Sequence, residues 1–307
     1  LGKGSVRLLG WSAATIALLL SVLTPFSLIT FHLLMIPVII LFVRLETKKF
    51  LLYYGLSLAI VYVLTSLLLV SWAGVMLVAI SLFLLPPVIQ MGNLYKKRAP
   101  ARTVITAGTV TLLLEMLVSL VVGYAFGFNI IDRMKQFMLE SINTLPAQLQ
   151  AVLVVDKDTL VQLVSQMLPL YMIGYSLFLV VIAHWLARKL LNRSGEALPA
   201  FKPIREWMLP RSFVWYYLIA LFMEFFVKDT NSIFFTLLLN LLPLLTAVFA
   251  VQAIAFLFFV AHRNRWNRAL PFGGIVLLIF VPPAYFMFSM LGVFDVAFPI
   301  RERMTRK

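Results

Sequence analysis

The chain has no cysteine among its 307 residues. That absence removes disulfides, thiolate zinc sites and cysteine-held iron–sulfur clusters. Histidine is almost as scarce. His32, His184 and His262 fall in separate apolar stretches and form no H-x-x-H pattern, so no metal centre is expected. Charge is thin: Asp, Glu, Lys and Arg make up 12% of residues, against about 25% in soluble domains. No Walker motif, nucleophile elbow or glycine-rich phosphate loop occurs. No catalytic residue and no cofactor is therefore expected, and the chain reads as a non-enzyme. An ATP-driven pump built on it would need a separate ATPase chain.

What the chain has in excess is apolar surface. Hydrophobic residues make up 62%, and mean hydropathy is +1.00. A helix needs about 20 apolar residues to cross about 30 Å of hydrocarbon. The sequence predicts an all-α, polytopic transmembrane bundle of 8–9 spans in a single membrane domain. The expected spans are 8–24, 27–43, 50–70, 72–91, 104–126, 167–187, 213–228, 233–261 and 270–294. Pro25, Gly92-Asn93 and Pro271 punctuate the turns. The first segment reads as a retained span, with no small-residue cleavage site following it.

The net charge of +14 comes from 26 basic and 12 acidic residues. The basic residues lie in short connections between spans, so they read as topology determinants and contacts to anionic lipid head groups, and no nucleic-acid partner is expected. Segments 1–7, 44–49, 96–102, 188–212 and 263–268 hold most of them. The alternate connections hold only Arg133, Lys135, Lys157 and Lys228. The positive-inside rule then predicts a bacterial plasma-membrane protein with a cytoplasmic N-terminus. Nine full crossings would place Arg301, Arg303, Arg306 and Lys307 outside, against that bias. Pro282-Pro283 breaks the last segment, and re-entry is the alternative to the expected full crossing.

Two longer connections remain. In the external segment 129–166, Ile130, Ile131, Met134, Phe137, Met138 and Ile142 recur at helical spacing opposite Asp132, Arg133, Lys135 and Glu140. An amphipathic helix on the outer surface is expected, with Asp158 and Thr159 capping the helix that leads inward. The cytoplasmic loop 188–212 carries Pro199, Pro203, Pro210 and six basic residues. It reads as a membrane-hugging linker or a docking surface for a protein partner.

Ionisable residues at membrane depth cost several kcal/mol and need a reason. Glu115 sits at the centre of the fifth span, and Gly108, Thr111, Ser119 and Gly123 share its broad helical face. Glu115, Thr111 and Ser119, with Asn240 and Gln252 of the eighth span, are the expected lining of a cavity for a small-molecule ligand. The competing reading is a protonated Glu115 bonded to a neighbouring helix. Glu224 followed by Lys228 is expected to form a structural ion pair one helical turn apart. His32 reads as a hydrogen-bonded packing residue. The paired prolines Pro86-Pro87 and Pro282-Pro283 each follow an apolar run and are expected to break their helices.

The chain resembles the YybS-like family, multi-span membrane proteins of Gram-positive bacteria. The resemblance rests on overall layout and on the stretch Leu291-Gly292-Val293-Phe294-Asp295-Val296-Ala297-Phe298-Pro299-Ile300-Arg301. It implies a distant likeness to the substrate-binding components of energy-coupling-factor vitamin transporters and to the rod-shape protein MreD. In those transporters an Ala-x-x-x-Ala face on the first span packs against the coupling subunit; Ala13 and Ala17 match that spacing here. Those components have six spans, fewer than expected in this chain. Genes of the family often neighbour one for a membrane-bound cyclic-dinucleotide phosphodiesterase, which implies a partner in that setting. Two functions follow as expectations: a substrate-binding or transport-type protein with an outward-facing polar cavity near Glu115, or a scaffold that recruits a partner through its basic loops.

Overall fold

A computed structural model describes residues 3–150, 155–267, 269–298 and 300–305. Residues 151–154 of the expected external segment, together with Arg268, Pro299, Arg306 and Lys307, lie outside the described residues. In chain order the helices are α1 (Lys3–Ser21), α2 (Ser27–Thr30), α3 (Met35–Arg44), α4 (Thr47–Leu68), α5 (Ser71–Phe83), α6 (Leu85–Lys96), α7 (Ala101–Ala125) and α8 (Ile130–Asn143). They continue with α9 (Ala147–Gln150), α10 (Lys157–Gln166), α11 (Leu168–Arg193), α12 (Ser212–Glu224), α13 (Ile233–Arg263), α14 (Ala269–Phe280), α15 (Ala284–Ala297) and α16 (Ile300–Thr305). Among the described residues no strand is present. That is the outcome expected where backbone polar groups must be satisfied within each segment.

Six helical stretches are long and apolar enough to cross a membrane: Ser27–Arg44, Thr47–Leu68, Ser71–Lys96, Ala101–Ala125, Leu168–Arg193 and Ile233–Arg263. The other three expected spans are shorter than drawn. The apolar part of α1 is Leu8–Ser21, and the expected span 213–228 stops at Glu224. The expected span 270–294 is two helices, Ala269–Phe280 and Ala284–Ala297, parted at Pro282-Pro283. Two adjacent prolines remove two backbone donors and clash with the preceding turn, so the helix cannot run through them unbroken. At Pro86-Pro87 the same chemistry has a milder effect. Only Leu84 separates α5 from α6, and it keeps a right-handed helical backbone.

The chain divides into two compact units, residues 1–130 with 172–201 and residues 131–171 with 202–307. In the first unit α1 packs on α3 and α4, α4 pairs with α5, and α6 lies between α3 and α7. Its apolar centre includes Ile39, Ile40, Val61, Leu77, Val88, Met91, Val104 and Val180. Glycines set the closest approaches. A Cβ at Gly92 would collide with the Phe42 ring, and one at Gly108 would meet Met91 and Val180. Small residues at helix crossings allow such contact without a hydrophobic drive from water. α7 buries Val104, Ile105, Gly108 and Leu112 in its first half, whereas Leu114, Val118, Val121 and Val122 beyond them are exposed.

In the second unit the packing centres on α13 and α15, with α12 alongside. α8 has the expected amphipathic pattern and buries none of its residues. The cap of α10 is Asp156, whose carboxylate accepts from the Asp158 and Thr159 amides at 3.1 and 3.3 Å. The expected cap at Asp158 is therefore two residues out of register. Asp158 lies in the first turn, where its charge still favours the helix dipole. The expected Glu224–Lys228 ion pair does not form: α12 ends at Glu224, and the two residues are not in an ion pair. Ion pairs among the described residues include Lys49–Glu46 and Arg301–Asp295.

Candidate functional site

Helix α7 positions the expected carboxyl. Thr111, Glu115 and Ser119 follow at four-residue intervals and lie along one stripe. With Phe83, Pro86, Leu114, Val118 and Val122 they line a groove of about 530 Å³. The groove is open and mostly apolar. Pro86 belongs to the α5–α6 break. The Thr111 hydroxyl donates to Ala107 O at 2.9 Å, and that of Ser119 to Met116 O at 2.8 Å. Both hydroxyl protons are thus spent within α7, leaving oxygen lone pairs. Glu115 Oε2 is buried and has no hydrogen-bond partner. A buried polar atom without a partner costs about 1–3 kcal/mol, so the sequence retains at Glu115 a group that the fold does not use.

Asn240 and Gln252 do not join this stripe; both belong to the second unit and have separate tasks. Asn240 stitches the junction of α10 and α11. Its Oδ1 accepts from Leu170 N at 2.8 Å, and its Nδ2 donates to Gln166 O at 2.8 Å and Thr236 O at 2.7 Å. Gln252, on α13, is buried against the loop after residue 202. Its Oε1 accepts from Leu209 N at 3.2 Å, and its Nε2 donates to Trp207 O at 3.3 Å and Asp295 Oδ2 at 2.6 Å. Of the five expected lining residues, Thr111, Glu115 and Ser119 line the groove on α7, and Asn240 and Gln252 bond the partners just given.

Asp295 is fully buried, and both of its carboxylate oxygens are paired. Besides Gln252, it receives Arg301 Nε at 2.9 Å on Oδ1 and Arg301 Nη2 on Oδ2. Arg301 Nη1 donates onward to Arg205 O at 2.8 Å, while the guanidinium lies 5.2 Å from the centre of the Phe259 ring. Such a bidentate, charge-assisted pair with a stacked arginine is among the stronger arrangements available. The Gly, Asp and Arg of the carboxy-terminal motif therefore act together. Gly292 permits contact with the Phe249 carbonyl, and the other two fasten the loop.

A further polar pair lies in the first unit. The Tyr95 hydroxyl is 2.7 Å from His184 Nδ1, the rings stack at 5.6 Å, and Phe201 meets the imidazole edge-on. His184 is 2% exposed and its Nε2 has no hydrogen-bond partner. No local pattern announces this pair, because 89 residues separate the partners. His32 bonds through Nδ1 to Leu28 O and packs edge-on against Tyr175 and Phe178. On α1, Ser12, Thr15 and Leu19 face inward, whereas Ala13 and Ala17 are exposed. Among the described residues no three of His, Asp and Glu converge as metal ligands would.

The profile of the family described as "Predicted membrane protein (DUF2232)" matches residues 12–296, and the chain belongs to that family. It is similar to the protein named "Uncharacterized protein YybS" of Bacillus subtilis (strain 168), with 25% identity over 225 residues, 70% of this chain and 72% of the relative. No solved structure matches.

Proposed function

We propose that this DUF2232 protein is a substrate-binding or transport-type protein of the bacterial plasma membrane whose recognition group is the Glu115 carboxyl. The observation that carries the reading is the buried, unpartnered Glu115 Oε2 in the wall of a groove of about 530 Å³. A carboxyl kept at membrane depth without a partner is costly to retain for packing alone. The groove is open and apolar on most of its surface, and its α7 wall carries the exposed Leu114, Val118 and Val122, so it suits a small lipophilic molecule carrying one hydrogen-bond donor or a positive charge. Thr111 and Ser119 supply acceptor lone pairs on either side. In this reading the ligand enters from the bilayer, not from an aqueous outward-facing cavity. The N-terminus and the basic connections lie in the cytoplasm, as the distribution of Lys and Arg favours. Ligand-dependent thermal stabilisation of the purified protein in lipid nanodiscs tests the proposal. Binding should raise stability, by about 2.7 kcal/mol at a hundredfold excess over Kd, and Glu115→Gln should remove that shift.

A scaffold role is the second reading, supported by a different observation. The basic segment from Lys202 to Arg211 is held in place through its backbone by Gln252 and Arg301, which leaves the Lys202 and Arg211 side chains exposed. A fixed basic surface suits an acidic cytoplasmic partner, and the exposed Ala13 and Ala17 suit a partner helix in the membrane. If this reading holds, neutralising Lys202, Arg205 and Arg211 together abolishes co-purification of the partner while membrane insertion stays intact. Retention of every co-purifying chain by that triple variant would remove it.

A further inference from the structure

The register of three helices in the second unit bears on how the chain leaves the membrane. Gly292 abuts Phe249, and Asp295 bonds Gln252, at the same offset of 43 residues. Ser289 and Thr246, again 43 apart, share the Tyr217 hydroxyl at 3.0 and 3.2 Å. A constant offset means that α15 runs parallel to α13. α14 runs the other way. Phe272 packs on Phe258 with ring centres 5.7 Å apart, whereas Gly274, further along α14, meets Ile254 and Leu257, earlier on α13. The chain therefore reverses at Val281-Pro282-Pro283.

Neither arm is long enough to span. At 1.5 Å per residue the 12 residues of α14 reach about 18 Å and the 14 of α15 about 21 Å, short of about 30 Å of hydrocarbon. The turn is built for a dry environment. Pro282 and Pro283 have no amide proton. The flanking amides are bonded: Val281 to Leu277 O at 2.9 Å, Ala284 to Val281 O at 2.8 Å and Tyr285 to Pro282 O at 3.1 Å. The bend thus presents no free N–H, the group that makes irregular backbone costly inside a bilayer. At the other end, Arg301 holds the Arg205 carbonyl and Arg263 Nη2 donates to Met304 O at 3.2 Å. α16 is thereby fixed beside the end of α13 and the loop after Lys202.

We infer that α14 and α15 form a re-entrant hairpin that enters and leaves the bilayer on the face carrying the 202–211 loop, with the Asp295–Arg301 pair as its latch. The carboxy-terminal basic residues then lie on that same face, and the topological conflict posed by a full ninth crossing disappears. This inference is independent of Glu115 and of any ligand.

The absence of native cysteine makes the test direct. Single-cysteine variants Lys202→Cys, Lys228→Cys and Arg303→Cys, each at an exposed position, are labelled with a membrane-impermeant maleimide in intact and in permeabilised cells. A fourth variant carries a cysteine added after Lys307. Arg303→Cys and the added cysteine should label in the same condition as Lys202→Cys and in the opposite condition to Lys228→Cys. Labelling together with Lys228→Cys would establish a full crossing and overturn the inference. If Lys202→Cys and Arg303→Cys both label in intact cells, the hairpin stands and the cytoplasmic orientation proposed above falls. Phe280→Cys, beside the turn, should react with a lipid-soluble maleimide but not with the impermeant one. Impermeant labelling in the same condition as Lys228→Cys would show that the turn emerges, and would also overturn re-entry.

Discussion

Asp295 and Glu115 are both acidic side chains on strongly apolar helices, and the protein treats them in opposite ways. Around Asp295 each carboxylate oxygen has a donor, supplied by α13 and by a residue beyond the end of α15. Around Glu115 the nearest hydroxyls bond their own helix, and one carboxyl oxygen is left without a partner. The same chemical group is a fastening in one place and an open valence in the other. Asp295 is fully buried and Glu115 half-buried, but burial alone does not separate the two roles. Satisfaction of the oxygens does. A buried carboxylate with both oxygens paired is already engaged by the fold, whereas an unsatisfied one imposes a standing cost that something outside the fold can relieve.

The sharpest way to break that contrast is to disconnect Asp295. Asp295→Ala leaves the Arg301 guanidinium, only 11% exposed, without its counter-charge and deprives Gln252 of an acceptor. Removing one partner of a buried pair costs about 3–5 kcal/mol, and that loss is the expected drop in unfolding free energy in detergent. The loop at Trp207–Leu209 should become accessible to protease at the same time, because the groups that hold its backbone are no longer positioned. A loss below about 1 kcal/mol would mean that the pair is surface-like, and the distinction between the two carboxyls would fail.

Gly292 gives a second, smaller test of the same fastening. A methyl group there would collide with the Phe249 carbonyl, which is backbone and cannot swing aside. Gly292→Ala should therefore cost about 1–3 kcal/mol, the range for overpacking a close contact. Gly273→Ala, where nothing lies within 4 Å, should stay within about 0.5 kcal/mol of the parent. The two alanines compared by thermal melting separate a tight α13–α15 contact from a general intolerance of change in the hairpin.

Much of this layout was readable in the residues, for identifiable reasons. Helical periodicity is local, so the Thr111–Glu115–Ser119 stripe and the amphipathic face of residues 130–142 follow from spacing alone. The proline pairs also announce their breaks, but not their consequences. One leaves α5 and α6 joined through the helical backbone of Leu84, and the other reverses the chain, with both of its arms packed on α13. Pairings distant in sequence left no local trace, as with Tyr95–His184 and Gln252–Asp295. Gln252 reads from the sequence as a polar residue at membrane depth on the eighth span, but sequence does not reveal that its partners are Asp295 and a loop backbone. The α10 cap missed by two residues because Asp156 and Asp158 are equivalent in composition and differ only in where the helix begins. Glu224 and Lys228 have favourable spacing only while a helix continues, and α12 stops between them.

The smallest expected effect on stability falls at Glu115, where it matters most for function. Were Glu115 bonded to a neighbouring helix, Glu115→Leu would strand that neighbour and cost about 1–3 kcal/mol. Oε2 has no such partner, so leucine should be neutral or stabilising, since it removes a polar atom from an apolar groove without leaving one unpaired. Glu115→Gln keeps the size of the side chain and should change stability by no more than about 0.5 kcal/mol. Both variants should lose ligand-dependent stabilisation, the leucine because no acceptor remains and the glutamine because its amide cannot carry a negative charge toward a donor or cation. A gain in stability joined to a loss of function is the signature of a group retained for binding at the expense of the fold. The decisive measurement is the melting temperature of the three proteins in nanodiscs, with and without lipid extract from the native membrane. A destabilised Glu115→Leu would show that the carboxyl has a structural partner after all and would place it with Asp295. A Glu115→Gln protein that still responds to the extract as the parent does would remove the carboxyl's charge from recognition.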